Sequence, residues 1–176
     1  MNWVKSMRKR RKDNGQGMVE FALVLPLLLL VMFGIIEFGR LFFSYAMVSA
    51  SSREGARYGA AVGDVGGIPY YKHCTGIKDA AIRIGAFAGV STGNVIIDYD
   101  HGPTSGSFGY TTSCTSDLTN VSTVGLGDRI IVTTTVTYQP IVPLVNVPPI
   151  TLSSATRRTF IKDVPIDSYG PPTPAY

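Results

Sequence analysis

An α+β fold is what this 176-residue sequence predicts: one long N-terminal helix, then a small domain of one further helix and an antiparallel sheet of about three strands. Three observations carry that prediction. Phe21 to Ile36 contains no charged residue, a run too long for a strand. A second apolar pattern at helical spacing spans Gly76 to Gly89. Three alternating, β-branched stretches follow it, the mark of half-buried strands. A chain of this length has room for one ordinary domain plus an appendage.

Residues 1–15 form a basic leader. Lys5, Arg8, Lys9, Arg10, Arg11 and Lys12 supply six of the sixteen Lys and Arg, opposed there only by Asp13. The formal charge is +4, yet from Gln16 onward ten basic residues face eleven acidic ones. The basicity belongs to the leader, and no basic stripe interleaved with aromatics remains for nucleic acid. A basic block beside an apolar span is the positive-inside signal, which keeps the N-terminus in the cytoplasm and sends the rest outward.

Residues 16–62 read as one helix whose character changes on the way. About residues 19–43 are apolar enough to cross a membrane, with Phe38, Leu41, Phe42 and Phe43 extending the run and Arg40 and Tyr45 near its outer edge. Pro26 predicts a kink or a local loss of helical hydrogen bonding. Beyond Ser44, the small residues Ser49, Ser52, Ala56 and Gly59 fall on one face, where another element can approach closely. Glu54 and Arg57 are spaced to pair on the solvated side. Such a helix of ~47 residues at ~1.5 Å each reaches about 70 Å, more than a membrane needs.

Residues 63–162 read as the outer α+β domain. Gly63, Gly66, Gly67 and Pro69 open a loop. In the second helix Ile77, Ala80, Ala81, Ile84, Phe87 and Ala88 form the apolar face. The strands are Asn94–Tyr99, Asp128–Gln139 with a threonine-rich wet face, and Pro148–Ile161 bearing Ile150, Leu152, Phe160 and Ile161. Residues 163–176, rich in proline, read as a loose tail.

The outer region holds both cysteines, Cys74 and Cys114. An even, small number outside the cytoplasm favours one disulfide over two free thiols; closing a loop of about 40 residues is worth roughly 3–4 kcal/mol on the chain-entropy model.

Raw material for catalysis is scarce. His73 and His101 are the only histidines, and both read as loop residues. No nucleophile triad, HExxH or phosphate-binding loop is present, so neither an enzyme nor a cofactor is expected. Asp98 and Asp100 offer oxygens of the kind Ca²⁺ takes, but a solvated strand end explains them as well and no metal is assigned. Asn120-Val121-Ser122 fits a glycosylation sequon, and Ala46 to Ser51 fits a signal-peptidase site, behind an apolar stretch longer than the usual 7–15 residues.

The junction at Gly15 is more specific. Cleavage after Gly15 would remove the leader and make Gln16 the new N-terminus, with Glu20 fifth and Phe21 sixth. A carboxylate at the start of an apolar helix is costly. In a bundle of such helices, the Glu20 of one subunit can face the α-ammonium of the next and cancel both charges.

Gly15-Gln-Gly-Met-Val-Glu20-Phe21-Ala-Leu-Val-Leu-Pro26, with Gly34-Ile-Ile-Glu37-Phe-Gly-Arg40 and Ser52-Arg-Glu-Gly-Ala-Arg57-Tyr58, resembles TadE-like proteins, the pseudopilins or minor pilins of tight-adherence (Tad/Flp, type IVc) pili. The resemblance covers about residues 11–62. It implies processing between Gly15 and Gln16 by a prepilin peptidase, a requirement for Glu20, and assembly with other pilin or pseudopilin subunits, an inner-membrane platform and an ATPase. The long outer domain departs from the major pilins of that system and points to a minor or initiating subunit. The residues alone leave two other placements: an unprocessed single-pass protein with a partner-binding outer domain, and a secreted product beginning near Ser51.

Overall fold

The computed structural model describes residues 13–103, 127–141 and 148–159, with side chains from Gly15 onward. Its elements, in chain order, are α1 (Asp13–Gly59), β1 (Asp64–Val65), β2 (Ile68–Pro69), α2 (Cys74–Gly85), β3 (Val95–Asp100), β4 (Arg129–Tyr138) and β5 (Ile150–Thr159). This is the predicted α+β architecture. They group into two compact units: the N-terminal half of α1 up to Phe42 together with the chain around Pro140 and Pro148, and the remainder from Phe43 onward.

In the first unit, α1 runs unbroken through Pro26, which lacks an N–H to give to the preceding turn. Its large apolar side chains are nearly all exposed, among them Met18, Leu23, Leu28 and Phe38.

In the second unit, the C-terminal half of α1 buries Val48, Ser51, Ser52, Gly55, Ala56 and Gly59. Ser52, Ala56 and Gly59 of the expected stripe are there, whereas Ser49 is only half-buried. Steps of three and four residues keep this set on one face. Two of its positions leave little room beyond glycine. A Cβ on Gly55 would lie 3.0 Å from Val132 Cγ1 and 3.3 Å from the Ile77 carbonyl oxygen, and one on Gly59 would run into the Ile130 and Ile77 side chains. The helix thus lies against α2 and the sheet at backbone distance.

The sheet has the order β3-β4-β5 and is antiparallel throughout. Val95, Ile97 and Tyr99 stand opposite Thr134, Val132 and Ile130, and these in turn opposite Ser154, Thr156 and Arg158. All members of the first two rows are buried. On the other face Thr133, Thr135 and Thr137 are half-buried or exposed, and Thr135 hydrogen-bonds Ser153 at 3.1 Å. Tyr99 fills the middle of the core, and its hydroxyl donates to the Tyr71 carbonyl.

Several local expectations need correction. Gly63 to Pro69 is not only a loop: β1 and β2 pair as a miniature hairpin. Gly66 and Gly67 form its turn at φ +61° and +84°, values only glycine adopts freely. The second helix begins at Cys74 and ends at Gly85, and Ala86–Ala88 continue as a 3₁₀ turn. With three residues per turn instead of 3.6, that turn carries Phe87 off the apolar face, and its side chain is 88% exposed. Helix α1 ends at Gly59, three residues before Val62. Of the third strand's expected apolar residues only Leu152 is buried; Ile150 is exposed, and Phe160 and Ile161 lie outside the described residues, as does the 163–176 tail.

Candidate functional site

Helix α1 begins at Asp13, so the Gly15–Gln16 bond falls in its first turn. The first four N–H groups of a helix have no intrahelical acceptor, so this turn is held by fewer hydrogen bonds than the helix interior. Nothing approaches Gly15 closely enough to contact an added Cβ. One turn on, the Gln16 side-chain amide donates to the Glu20 carboxylate at 3.1 Å, both groups exposed. Phe21 is 65% exposed. Gly15, Gln16, Glu20 and Phe21 therefore lie within two turns at one end of an unburied apolar helix. Over 18 residues that helix reaches a mean hydropathy of 2.7 with none of the stretch buried, and it is long and apolar enough to cross a membrane.

A second polar group interrupts the apolar run farther along. Arg40 donates to both oxygens of Glu37, at 3.2 and 3.3 Å, and the backbone N–H of Ile141 also donates to Glu37, at 3.3 Å. The Glu37-x-x-Arg40 spacing was visible in the sequence; the amide arriving from 104 residues away was not.

The remaining candidates have structural partners. Cys74, fully buried, opens α2; Cys114 and the Asn120 sequon lie outside the described residues. His73 precedes α2 and meets the Tyr58 hydroxyl at 2.8 Å. His101 meets Asp128 at 2.8 Å. Asp100 accepts two hydrogen bonds from Arg129, at 2.7 and 2.6 Å, and one from the Gly102 N–H. The Arg129 bond holds its carboxyl below the usual range against the opposing effect of burial. Asp98 differs: one carboxylate oxygen is buried without a partner, and desolvation pushes its pKa up. Among the described residues no three His, Cys, Asp or Glu side chains cluster as metal ligands. Glu54 and Arg57 pair as predicted, at 2.6 Å, with Arg83 of α2 at 3.6 Å. The Ala46–Ser51 segment lies inside α1 with Val48 and Ser51 buried, so a cut there would sever a packed helix.

The family model for TadE-like protein matches residues 15–57. The N-terminal helix is TadE-like. The match starts at the glycine of the expected cleavage junction, includes Glu20, Glu37 and Arg40, and ends two residues short of the end of α1. No curated protein and no solved structure matches the chain. The TadE-like segment thus joins the exposed half of α1 to the half that packs against the sheet, and an α+β domain follows it.

Proposed function

We propose that this chain is a non-enzymatic, pilin-like subunit of a Tad-type pilus, cut after Gly15 by a prepilin peptidase and assembled through α1. The observation that carries the reading is the unburied apolar helix of a TadE-like segment, with an exposed Glu20 near its start that accepts from Gln16. Before cleavage, the basic leader holds this end at the cytoplasmic face. Afterwards residue 16 carries an α-ammonium with a reference pKa of about 7.7–8.0. In a helical bundle, Glu20 of one subunit faces the ammonium of its neighbour. Leaving one charge of such a buried pair alone costs about 3–5 kcal/mol, which penalises every wrong axial register. The platform, the ATPase and other pilin or pseudopilin subunits are the partners, and adhesion to a surface is the service of the assembled pilus. The domain from Gly63 onward stands outside the membrane. A Cys74–Cys114 disulfide braces it; Cys74 is buried and is not a free thiol, and the chain has one other cysteine.

Intact-mass measurement of the protein from its native membrane tests the processing step. The expected mass is that of a chain beginning at Gln16, and a chain retaining residues 1–15 overturns it. Glu20→Ala tests the register step: it should be cleaved and remain in the membrane but fail to enter assemblies. Normal assembly would refute the role given to Glu20.

A further inference from the structure

On the reading of α1 as a membrane anchor, we infer that the chain touches lipid a second time: Ile141, at the start of the β4–β5 connection, lies at the outer boundary of the bilayer beside Glu37. The first observation is the hydrogen bond from the Ile141 N–H to Glu37, at 3.3 Å, which places that backbone within one side chain's reach of α1 at residue 37. Pro140, Ile141 and Pro148 group with the N-terminal half of α1 and not with the sheet.

Depth follows from helix geometry. Glu20 to Glu37 is 17 residues, or ~25 Å at ~1.5 Å per residue, against a hydrocarbon thickness of ~30 Å. With Glu20 near the inner face, Glu37 falls at or just inside the outer boundary, and Arg40 lies one turn beyond it. The local chemistry suits that depth. Backbone polar groups that leave water must find a partner, and the Ile141 N–H has one in a carboxylate. Glu37 is in turn neutralised by Arg40, whose long stem lets the guanidinium reach the headgroups. Ile141 is 67% exposed. The described neighbours agree: Pro140, Pro148 and Pro149 carry no charge and have no N–H to satisfy.

Tryptophan fluorescence in vesicles tests this directly. The full chain with its single tryptophan removed, Trp3→Phe, is reconstituted in phosphatidylethanolamine and phosphatidylglycerol doped, in separate samples, with phosphatidylcholine brominated near the glycerol or near the chain ends. Single tryptophans are then introduced as Ile141→Trp, Leu28→Trp or Thr135→Trp. Positions 141 and 28 are exposed, so the ring needs no repacking there. Ile141→Trp should emit at short wavelength, lose emission to the brominated lipid and be spared by aqueous iodide, while Thr135→Trp shows the reverse. If Ile141→Trp is quenched by iodide alone while Leu28→Trp is quenched by lipid, the second contact is refuted and the anchor stands. If neither is quenched by lipid, the anchor reading falls and this inference with it.

Discussion

The two halves of α1 belong to one unbroken helix and obey opposite rules of burial. From Met18 to Tyr45 the helix carries large apolar residues and leaves them bare: Leu23, Ile35 and Phe38 are each about seven-tenths exposed. From Val48 to Gly59 its buried face is made of small residues, Ser51, Ser52, Gly55, Ala56 and Gly59 beside Val48. Hydrophobicity alone would assign the core to the wrong half. What decides burial in the second half is closeness of approach. Small side chains let the backbone of α1 come within van der Waals distance of Val132 and of the α2 backbone, and dense contact substitutes for large side chains. In the first half the unsatisfied apolar area calls for a different solvent or for other helices, as a uniformly apolar helix does.

That contrast predicts a large separation between two truncations. Ile130 is fully buried on β4 and faces Gly59 of α1; Ile130→Ala should destabilise the outer domain by about 2–5 kcal/mol, the usual cost of deleting a core isoleucine. Leu28, 57% exposed, lies in the other half, and Leu28→Ala should shift the domain's melting by less than about 0.5 kcal/mol. Thermal melts of the full chain in detergent, followed by near-ultraviolet circular dichroism, read both. Equal losses would show that the two halves share one cooperative core.

Much of this arrangement was legible in advance because it rests on local signals. The charge-free run, the stripe through Ser52, Ala56 and Gly59, and the alternation of β4 are each carried by residues of a single element. The misses arose where tertiary context decides. Phe87 fits the periodicity of α2, but the change to 3₁₀ geometry after Gly85 turns it outward. Gly66 and Gly67 signal a loop, and two adjacent glycines equally suit the tight hairpin turn they form. No local pattern announces that Asp100 is held by Arg129 or that the Ile141 amide reaches Glu37, since both partners are distant in sequence.

A smaller effect sharpens the claim that approach, not apolarity, organises the second half. Ser52 is fully buried, donates to the Ser49 carbonyl at 3.0 Å, and lies 3.1 and 2.9 Å from the Ser154 and Thr156 hydroxyls of β5. Ser52→Ala keeps the close approach and removes the hydroxyl. Since Ser154 and Thr156 are only half-buried and can turn to water, the expected loss is about 0.5–1.5 kcal/mol. Ser52→Leu should cost more, because the added volume has no space. If leucine melts higher than serine in the same assay, the stripe is under-packed and the argument from closeness fails.

The smallest expected effect concerns two carboxylates on β3 with opposite environments. Arg129 lowers the pKa of Asp100, so the stability it contributes is present above the unfolded value of about 3.9 and is lost as pH falls through the depressed folded value. Asp98 has the reverse sign. Burial raises its pKa and one oxygen has no partner, so its ionised form works against the fold: the penalty is absent below about pH 3.9 and complete once pH exceeds the raised folded value. Asp98→Asn should therefore raise the melting temperature slightly at about pH 7 and leave it nearly unchanged at about pH 3.5. Asp100→Asn should lower it at neutral pH, with the deficit shrinking in acid as the wild-type carboxylate is itself protonated. An Asp98→Asn gain of equal size at both pH values would mean that side-chain shape, not charge, limits that position.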